Sequence, residues 1–341
     1  MTNALEAGIR PNTLRLLSEG HRFSPYYGGY LANHLPMALA ALDGMGATDA
    51  QTDAFANGYE KKLEPLPPES GTITDENASR FLGRRVTVAS WIAYFEDSIS
   101  HRGATETLGR WLDRLMPAVG STAFHGLIRT AYALEGGVDR ELAHALASWA
   151  ADYTELGPLP RLSGTASPAE ALAAVNRDPR FAKRRYTGGS IAVRMSRAAA
   201  DPELAPLIAG VDPRRLDIGS QARALLRAYA DTGNFTVLHG VTASLAFRVL
   251  LPFMKDADAA QGYLWQALVC AYLSAGGPAA GSPLKGDEGL SWPEIHGLAV
   301  ASTDEHDIKL AYTCWQEWQD SGDDLYRRAA SATLAPTAAA R

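Results

Sequence analysis

Apolar residues recur at three- and four-residue spacing through most of this chain. The segments that carry them are rich in alanine and leucine and punctuated by proline and glycine, and alternating β-branched runs are few. That period buries one stripe of a helix and has no face to offer a sheet, so the expected fold is mainly α. Pro36 in the sequence Asn33-His34-Leu35-Pro36 marks a first turn, and Leu35, Leu39 and Leu42 form a stripe ending at Gly44 or Gly46. Further helices are expected from about Arg84 to Ile99 and from Thr107 to Met116. Another is expected from a Ser121 cap to Gly136-Gly137, and one from an Asp139 cap to about Tyr153. Residues 157–189 read as a loop-rich excursion with one short helix at Pro168 to Val175. Helical patterning resumes from Leu216 to Ala230, Asn234 to Met254 and Gln261 to Leu273. After a flexible connection from Gly276 to Gly289, a last helix runs from Ser291-Trp292-Pro293 to about Trp318, and residues 327–341 are expected to fray.

The 341 residues are 46% hydrophobic and 21% charged, a globular balance that leaves out disordered and fibrous classes. A net charge of −6 argues against a chain-wide grip on nucleic acid. The apolar run from Val237 to Phe253 is interrupted by His239, Ser244 and Arg248, so no membrane crossing is expected, and the N-terminus lacks an export signal. Two distant cysteines, Cys270 and Cys314, cannot build a disulfide framework or a thiolate zinc site, which points to a reducing cytoplasm. The oligomeric state is not legible.

Eight histidines remain. Four of them, His34, His125, His239 and His306, share a setting on or just before an apolar helix, and glycine follows two of them, leaving room for another element or a ligand. Each alone reads as a satisfied core histidine. Four together would need four separate sets of partners, whereas one metal ion would serve them all. Lys309 lies three residues after His306 and so shares its helix face. A buried lysine loses its proton more readily, and the neutral amine can take up carbon dioxide to give a carbamate oxygen donor; the alternative is an ion pair with Asp304 or Glu305.

A competing metal reading starts from Glu141-x-x-His144, the spacing of carboxylate di-iron bundles, but no second copy exists and Arg140 stands ready to pair with Glu141. His21 lies in a polar segment, His101 reads as a helix C-terminus, and His296 is too far from His306 along one continuous helix to share an ion, although it is placed to line a pocket. Nucleophile elbows, dinucleotide fingerprints and Walker loops are missing. The run Lys183-Arg184-Arg185-Tyr186 reads as a solvated loop or as a mouth that attracts an anionic substrate.

Four blocks carry a resemblance: Asn33-His34-Leu-Pro-Met-Ala-Leu-Ala-Ala-Leu with Gly46-Ala47, Phe124-His125-Gly-Leu-Ile-Arg-Thr-Ala-Tyr-Ala-Leu-Glu135, Leu238-His239-Gly-Val-Thr242, and Asp304-Glu305-His306-Asp-Ile-Lys309. In this order they resemble the questin oxidase-like family of enzymes that oxidise and cleave aromatic polyketides. The resemblance implies a mainly helical oxygenase whose Fe(II) is held by His34, His125, His239, His306 and a carboxylated Lys309, leaving one position for dioxygen. Many members carry a second histidine where this chain has Met37. Some are tied to NADPH, for which this chain shows no motif.

The expectation is therefore a single helical domain over residues 1–341 that binds a small aromatic substrate of the anthraquinone or hydroquinone type. The reaction inserts oxygen in Baeyer-Villiger or dioxygenative fashion and cleaves a ring carbon–carbon bond. Thr242, one turn after His239, and Tyr132 are the candidate catalytic residues, although Thr242 can also bond back to its own helix. Tyr26, Tyr27, Phe124, Tyr132, Phe235 and Trp292 are candidate walls. A metal-dependent hydrolase and a non-catalytic helical binding protein are the alternatives.

Overall fold

The computed structural model describes residues 8–182, 184, 186–277 and 289–339. Its helices are α1 Pro11–Gly20, α2 Leu35–Gly44, α3 Asp49–Tyr59, α4 Val88–Arg102, α5 Ala104–Leu115, α6 His125–Glu135, α7 Asp139–Ala151, α8 Pro168–Arg177 and α9 Pro179–Ala182. They continue with α10 Ile191–Ala199, α11 Leu204–Ala209, α12 Ile218–Thr232, α13 Phe235–Leu250, α14 Ala257–Ser274, α15 Trp292–Val300, α16 Glu305–Ser321 and α17 Leu325–Ala339. One two-stranded antiparallel ribbon, β1 Tyr26–Tyr27 and β2 Leu31–Ala32, precedes α2. The mainly α expectation holds.

Helix α2 is buried along its whole apolar length from Leu35 to Leu42, and Trp91, Trp111, Trp149 and Trp265 are sealed in the same continuous core. Four helices close a ring at its centre: α2 packs on α6, α6 on α13, α13 on α16, and α16 back on α2. Helix α13 and the turn after it are long and apolar enough to cross a membrane by composition, yet the helix is sheathed by α6, α12, α14 and α16 and reads as the core helix of the bundle.

Several sequence expectations need correction. Ser121 does not cap α6. Thr122, Ala123 and Phe124 instead adopt positive φ (47°, 55° and 68°), and the helix starts at His125. Asp139 is the first residue of α7 rather than its cap. The helix expected from Trp292 to Trp318 is two helices, because Asp304 caps a new start with its side chain on the His306 N–H. The tail is helical rather than frayed over Leu325–Ala339: Ala329, Ala330 and Leu334 are buried, and the Tyr326 hydroxyl donates to Glu317 at 3.2 Å. Helices α1, α3, α10 and α11 were not expected. Of the Gly276 to Gly289 connection, residues 278–288 lie outside the described residues, as do Lys183 and Arg185. The remaining cation of that basic run, Arg184, pairs with Asp201.

Candidate metal centre

The four-helix ring brings its N-terminal ends together, and each end carries one histidine. His34 immediately precedes α2, His125 opens α6, His306 is the second residue of α16, and His239 lies one turn into α13. Ring centroids are 4.4 Å apart for His34 and His125, 4.9 Å for His34 and His306, 5.2 Å for His125 and His239, and 5.4 Å for His239 and His306. The four histidines singled out in the sequence therefore form one cluster.

Each imidazole is held by its outer nitrogen. His125 Nδ1 donates to the Thr122 carbonyl, which the left-handed turn aims at it, and His239 Nδ1 donates to the Phe235 carbonyl at 2.8 Å. His306 Nδ1 faces the Asp304 carboxylate at 3.1 Å. His34 Nδ1 lies 3.2 Å from the Tyr59 hydroxyl and 3.6 Å from Glu305 Oε1. That hydroxyl accepts the His34 backbone N–H at 3.0 Å and donates to Glu305 at 3.4 Å, so it takes a second hydrogen from Nδ1. A carbonyl or carboxylate can only accept, which puts a proton on Nδ1, and in a neutral ring the lone pair is then on Nε2.

The consequence is visible between His34 and His125, whose Nε2 atoms are 2.5 Å apart. With both outer nitrogens protonated, two lone pairs face each other with no proton to share, an arrangement that a cation between the rings relieves. Burial, followed by the Lys309 charge, pushes His34 and His125 well below the ordinary histidine range; burial, His306 and Lys309 push His239 down to about 3. The rings of His34, His125 and His239 are thus neutral, as a metal requires, and the backing of all four by carbonyl, carboxylate and phenol is the arrangement that orients metal-bound imidazoles. The donor set fits an imidazole-binding metal such as iron or zinc.

Lys309 is 1% exposed, one turn along from His306, and burial pushes it down to about 7 against the raising influence of Glu305 and Asp304. Neither carboxylate pairs with it: among the described residues no carboxylate lies within 4.0 Å of its amine. Glu305 instead meets Lys62 at 3.5 Å, and its donor atom lies within 4.8 Å of those of His34 and His306.

A cavity of about 340 Å³ opens onto His34, His125, His239 and His306. Tyr27, Tyr30, Leu31 and Phe235 give it apolar walls, and Thr122, Ala123, Arg85, Arg194 and Glu305 complete much of the lining. Of the expected walls, Tyr27 and Phe235 are there. Tyr26, Phe124, Tyr132 and Trp292 do not line it: Phe124 is sealed in the core, and Trp292 packs beside His296 and Trp318. His296 is likewise elsewhere, 4.7 Å from the Trp315 ring. The two candidate catalytic residues also fall outside. Thr242 is buried with its hydroxyl donating to the His239 carbonyl at 3.1 Å, bonded back to its own helix, and Tyr132 borders a separate small void beside Met37 and Glu141.

In the Glu141-x-x-His144 pair the carboxylate is taken by an arginine. Arg129, rather than Arg140, grips Glu141 at 2.5 and 3.0 Å, and His21 adds a contact at 3.2 Å, which makes His21 buried instead of polar-loop. Arg140 pairs with Glu96 on the surface. His101 sits in the last turn of α4, bonded to the Asp97 carbonyl at 2.9 Å, as expected for a helix end. Reading the sequence missed Tyr59, Arg194 and the orienting roles of Asp304 and Glu305. The Asp304-Glu305-His306 triplet held the only available signal, an N-cap acid beside a ligand.

Compared with curated proteins, the chain matches none. The questin oxidase-like family matches residues 31–314, a span that takes in all four histidines, Lys309 and every helix of the central ring up to Cys314. On that match, the chain belongs to the questin oxidase-like family.

Proposed function

We propose that this family member is a non-haem Fe(II) oxygenase that uses dioxygen on an aromatic polyketide of the anthraquinone or hydroquinone type, inserting oxygen and cleaving a ring carbon–carbon bond. The observation that carries the reading is geometric: four imidazoles, each locked from behind, converge at one end of a cavity with apolar walls. When bound, iron supplies a coordination position at which dioxygen is activated. The chain's own part begins with orientation: Tyr59 and Glu305 hold His34, the Thr122 carbonyl holds His125, the Phe235 carbonyl holds His239, and Asp304 holds His306.

Lys309 supplies the fifth donor. With its affinity for protons lowered to about 7, a good share of the amine is neutral at neutral pH. Its nitrogen lone pair bonds to the carbon of CO₂, one proton leaves the nitrogen, and the product is a carbamate anion with an oxygen donor. That negative charge matters, because four helix N-termini each worth roughly half a positive charge already meet here. Asp304 and Glu305 offset part of it. An electron-rich substrate held against Phe235 and Tyr27 would itself supply electrons to dioxygen.

The test is anaerobic reconstitution with Fe(II) and bicarbonate, followed by metal analysis and oxygen consumption with an anthraquinol. The expected result is one iron per chain and iron-dependent oxygen uptake. A chain that takes up no iron overturns the metal assignment. Cleavage that proceeds with zinc and without oxygen makes the protein a hydrolase, and ligand binding without turnover makes it a binding protein.

A further inference from the structure

We propose that the molecule taken up beside the histidines is an aromatic anion, and that Arg194 receives its negative oxygen. This rests on the cavity being the substrate site, as argued above, and does not depend on which metal occupies it.

The argument is a census of charge around the cavity. Two arginines line it. Arg85 is neutralised by Asp152 and lies over the Tyr26 ring, 4.6 Å from its centroid. Arg194 has no such partner: its guanidinium donates to the Gly189 carbonyl at 3.0 Å and the Thr236 hydroxyl at 3.2 Å, both neutral. Among the described residues no carboxylate comes within 4.0 Å of it. The one carboxylate in the lining among the described residues, Glu305, is already engaged with Lys62 and Tyr59. The helix ends add to the imbalance, because α2 and α6 carry no side-chain cap while only α13 and α16 are capped, by Asn234 and Asp304. A half-buried guanidinium with spare N–H donors, beside uncapped positive helix ends, is incomplete without an anion.

Position supports the same conclusion. Thr236, which holds the guanidinium, precedes His239 by three residues, so the cation stands about one helical turn from the histidine cluster. Phe235, the residue before Thr236, is edge-on to His239 and His306 at centroid distances of 4.9 and 4.7 Å, is 52% exposed, and lines the same cavity as Arg194. Tyr30 and Leu31, 59% and 41% exposed, line the same cavity. Large apolar side chains left open around a cavity of this volume mark a ligand with a flat apolar body. The planar fork of an arginine suits a carboxylate, or an ionised ring hydroxyl beside a carbonyl, better than it suits a neutral ring. Ser190 caps α10 through the Val193 N–H and so anchors the helix that carries Arg194.

The experiment is calorimetric titration under anaerobic conditions of iron-loaded and chelator-treated protein with two matched pairs of probes. One pair is 2-naphthoate and its methyl ester; the other is 2-hydroxy-1,4-naphthoquinone, ionised at neutral pH, and its neutral 2-methoxy ether. In wild type each anion should bind at least about 10-fold tighter than its neutral partner, and Arg194→Gln should weaken the anions about 10- to 100-fold while leaving the neutral probes within about 2-fold. Arg194→Lys should recover part of the loss, and circular-dichroism melting verifies that each variant is folded. Selectivity confined to one pair identifies the anion as carboxylate or as ring oxygen. Equal binding of anion and neutral partner, an Arg194→Gln variant that binds anions like wild type, or no binding by any probe overturns the proposal. Selectivity that survives chelation stands even if iron reconstitution fails, and iron uptake without selectivity removes Arg194 alone.

Discussion

Gly126 is where the site is most sensitive to a single methyl group. It follows His125 at the start of α6 and faces Trp149 of α7. A Cβ built on it would lie 2.5 Å from Trp149 Cγ, 2.6 Å from its Cβ and 3.0 Å from its Cα. Two of these atoms belong to or adjoin the backbone, and the indole is pinned by its N–H bond to the Ala118 carbonyl at 3.1 Å, so the side chain cannot swing away. The helices must separate by roughly 1 Å to restore ordinary contact. Overpacking of this kind costs about 1–3 kcal/mol or more, against at most about 1 kcal/mol gained by replacing a helical glycine with alanine. Gly126→Ala should therefore destabilise by about 2 kcal/mol, read as a lower urea midpoint at unchanged m. Because His125 Nε2 sits 2.5 Å from His34 Nε2, the same shift should also weaken metal uptake. Gly240→Ala is the control. It follows His239 in the same way, but its Cβ would meet the side chains of Leu225 and Leu268, with the nearest methyl of each at 3.2 Å and Leu225 Cγ at 3.4 Å, far looser than the Trp149 contacts. It should change stability by less than about 1 kcal/mol. A Gly126→Ala protein as stable as wild type, or a Gly240→Ala protein that suffers more, would refute the close-approach argument.

Three other outcomes are expected. Arg129→Met leaves Glu141 charged and buried and should cost about 3–5 kcal/mol, while the double variant with Glu141→Leu should recover much of that loss in denaturation experiments. Burial pushes Glu135, at the end of α6, up to about 7. A carboxyl whose folded value lies above its unfolded one contributes fully below pH about 4.5 and loses that contribution as pH rises through 7. Glu135→Gln should thus flatten the stability profile between those values by about 1–2 kcal/mol, given partial exposure. Lys309→Met should abolish iron retention on metal analysis and leave a folded chain, whereas full retention would take the lysine out of the donor set.

Much of this site could be read from residues with local signals. Pro36, Gly44 and the apolar stripe of α2 announce that helix plainly, and the four histidines stood out because each sat on such a stripe. What lay beyond reach was set by tertiary context. Helix α3 has a weak stripe of Thr52, Phe55, Ala56 and Tyr59, and it was missed although Thr48 and Gln51 form a capping box at its start. The break between α15 and α16 was masked because Ala299 and Ile308 both look like one continuing stripe, and only the Asp304 cap distinguishes two helices. Thr242 follows His239 by one turn, and Tyr132 stands out only as an aromatic on the same helix as His125; helical spacing gives the face but not the depth, and neither residue lines the cavity. Arg194 carries no local pattern at all. Its meaning comes from the carboxylates that fail to meet it.

The left-handed run at Thr122, Ala123 and Phe124 has an effect on how this protein can change over generations. Three consecutive side-chain-bearing residues in a region that costs of order 1 kcal/mol each, with a β-branched threonine among them, form a standing reserve of unrealised heat resistance. Selection for survival at higher temperature would reach first for glycine or asparagine at Thr122, where either relaxes the turn, since Ala123 and Phe124 are buried in the core. The same relaxation would free the Thr122 carbonyl from the His125 ring. A lineage pushed toward thermal robustness would thus trade away its imidazole alignment, and the persistence of threonine at 122 in any descendant would be a signature that selection is still acting on chemistry.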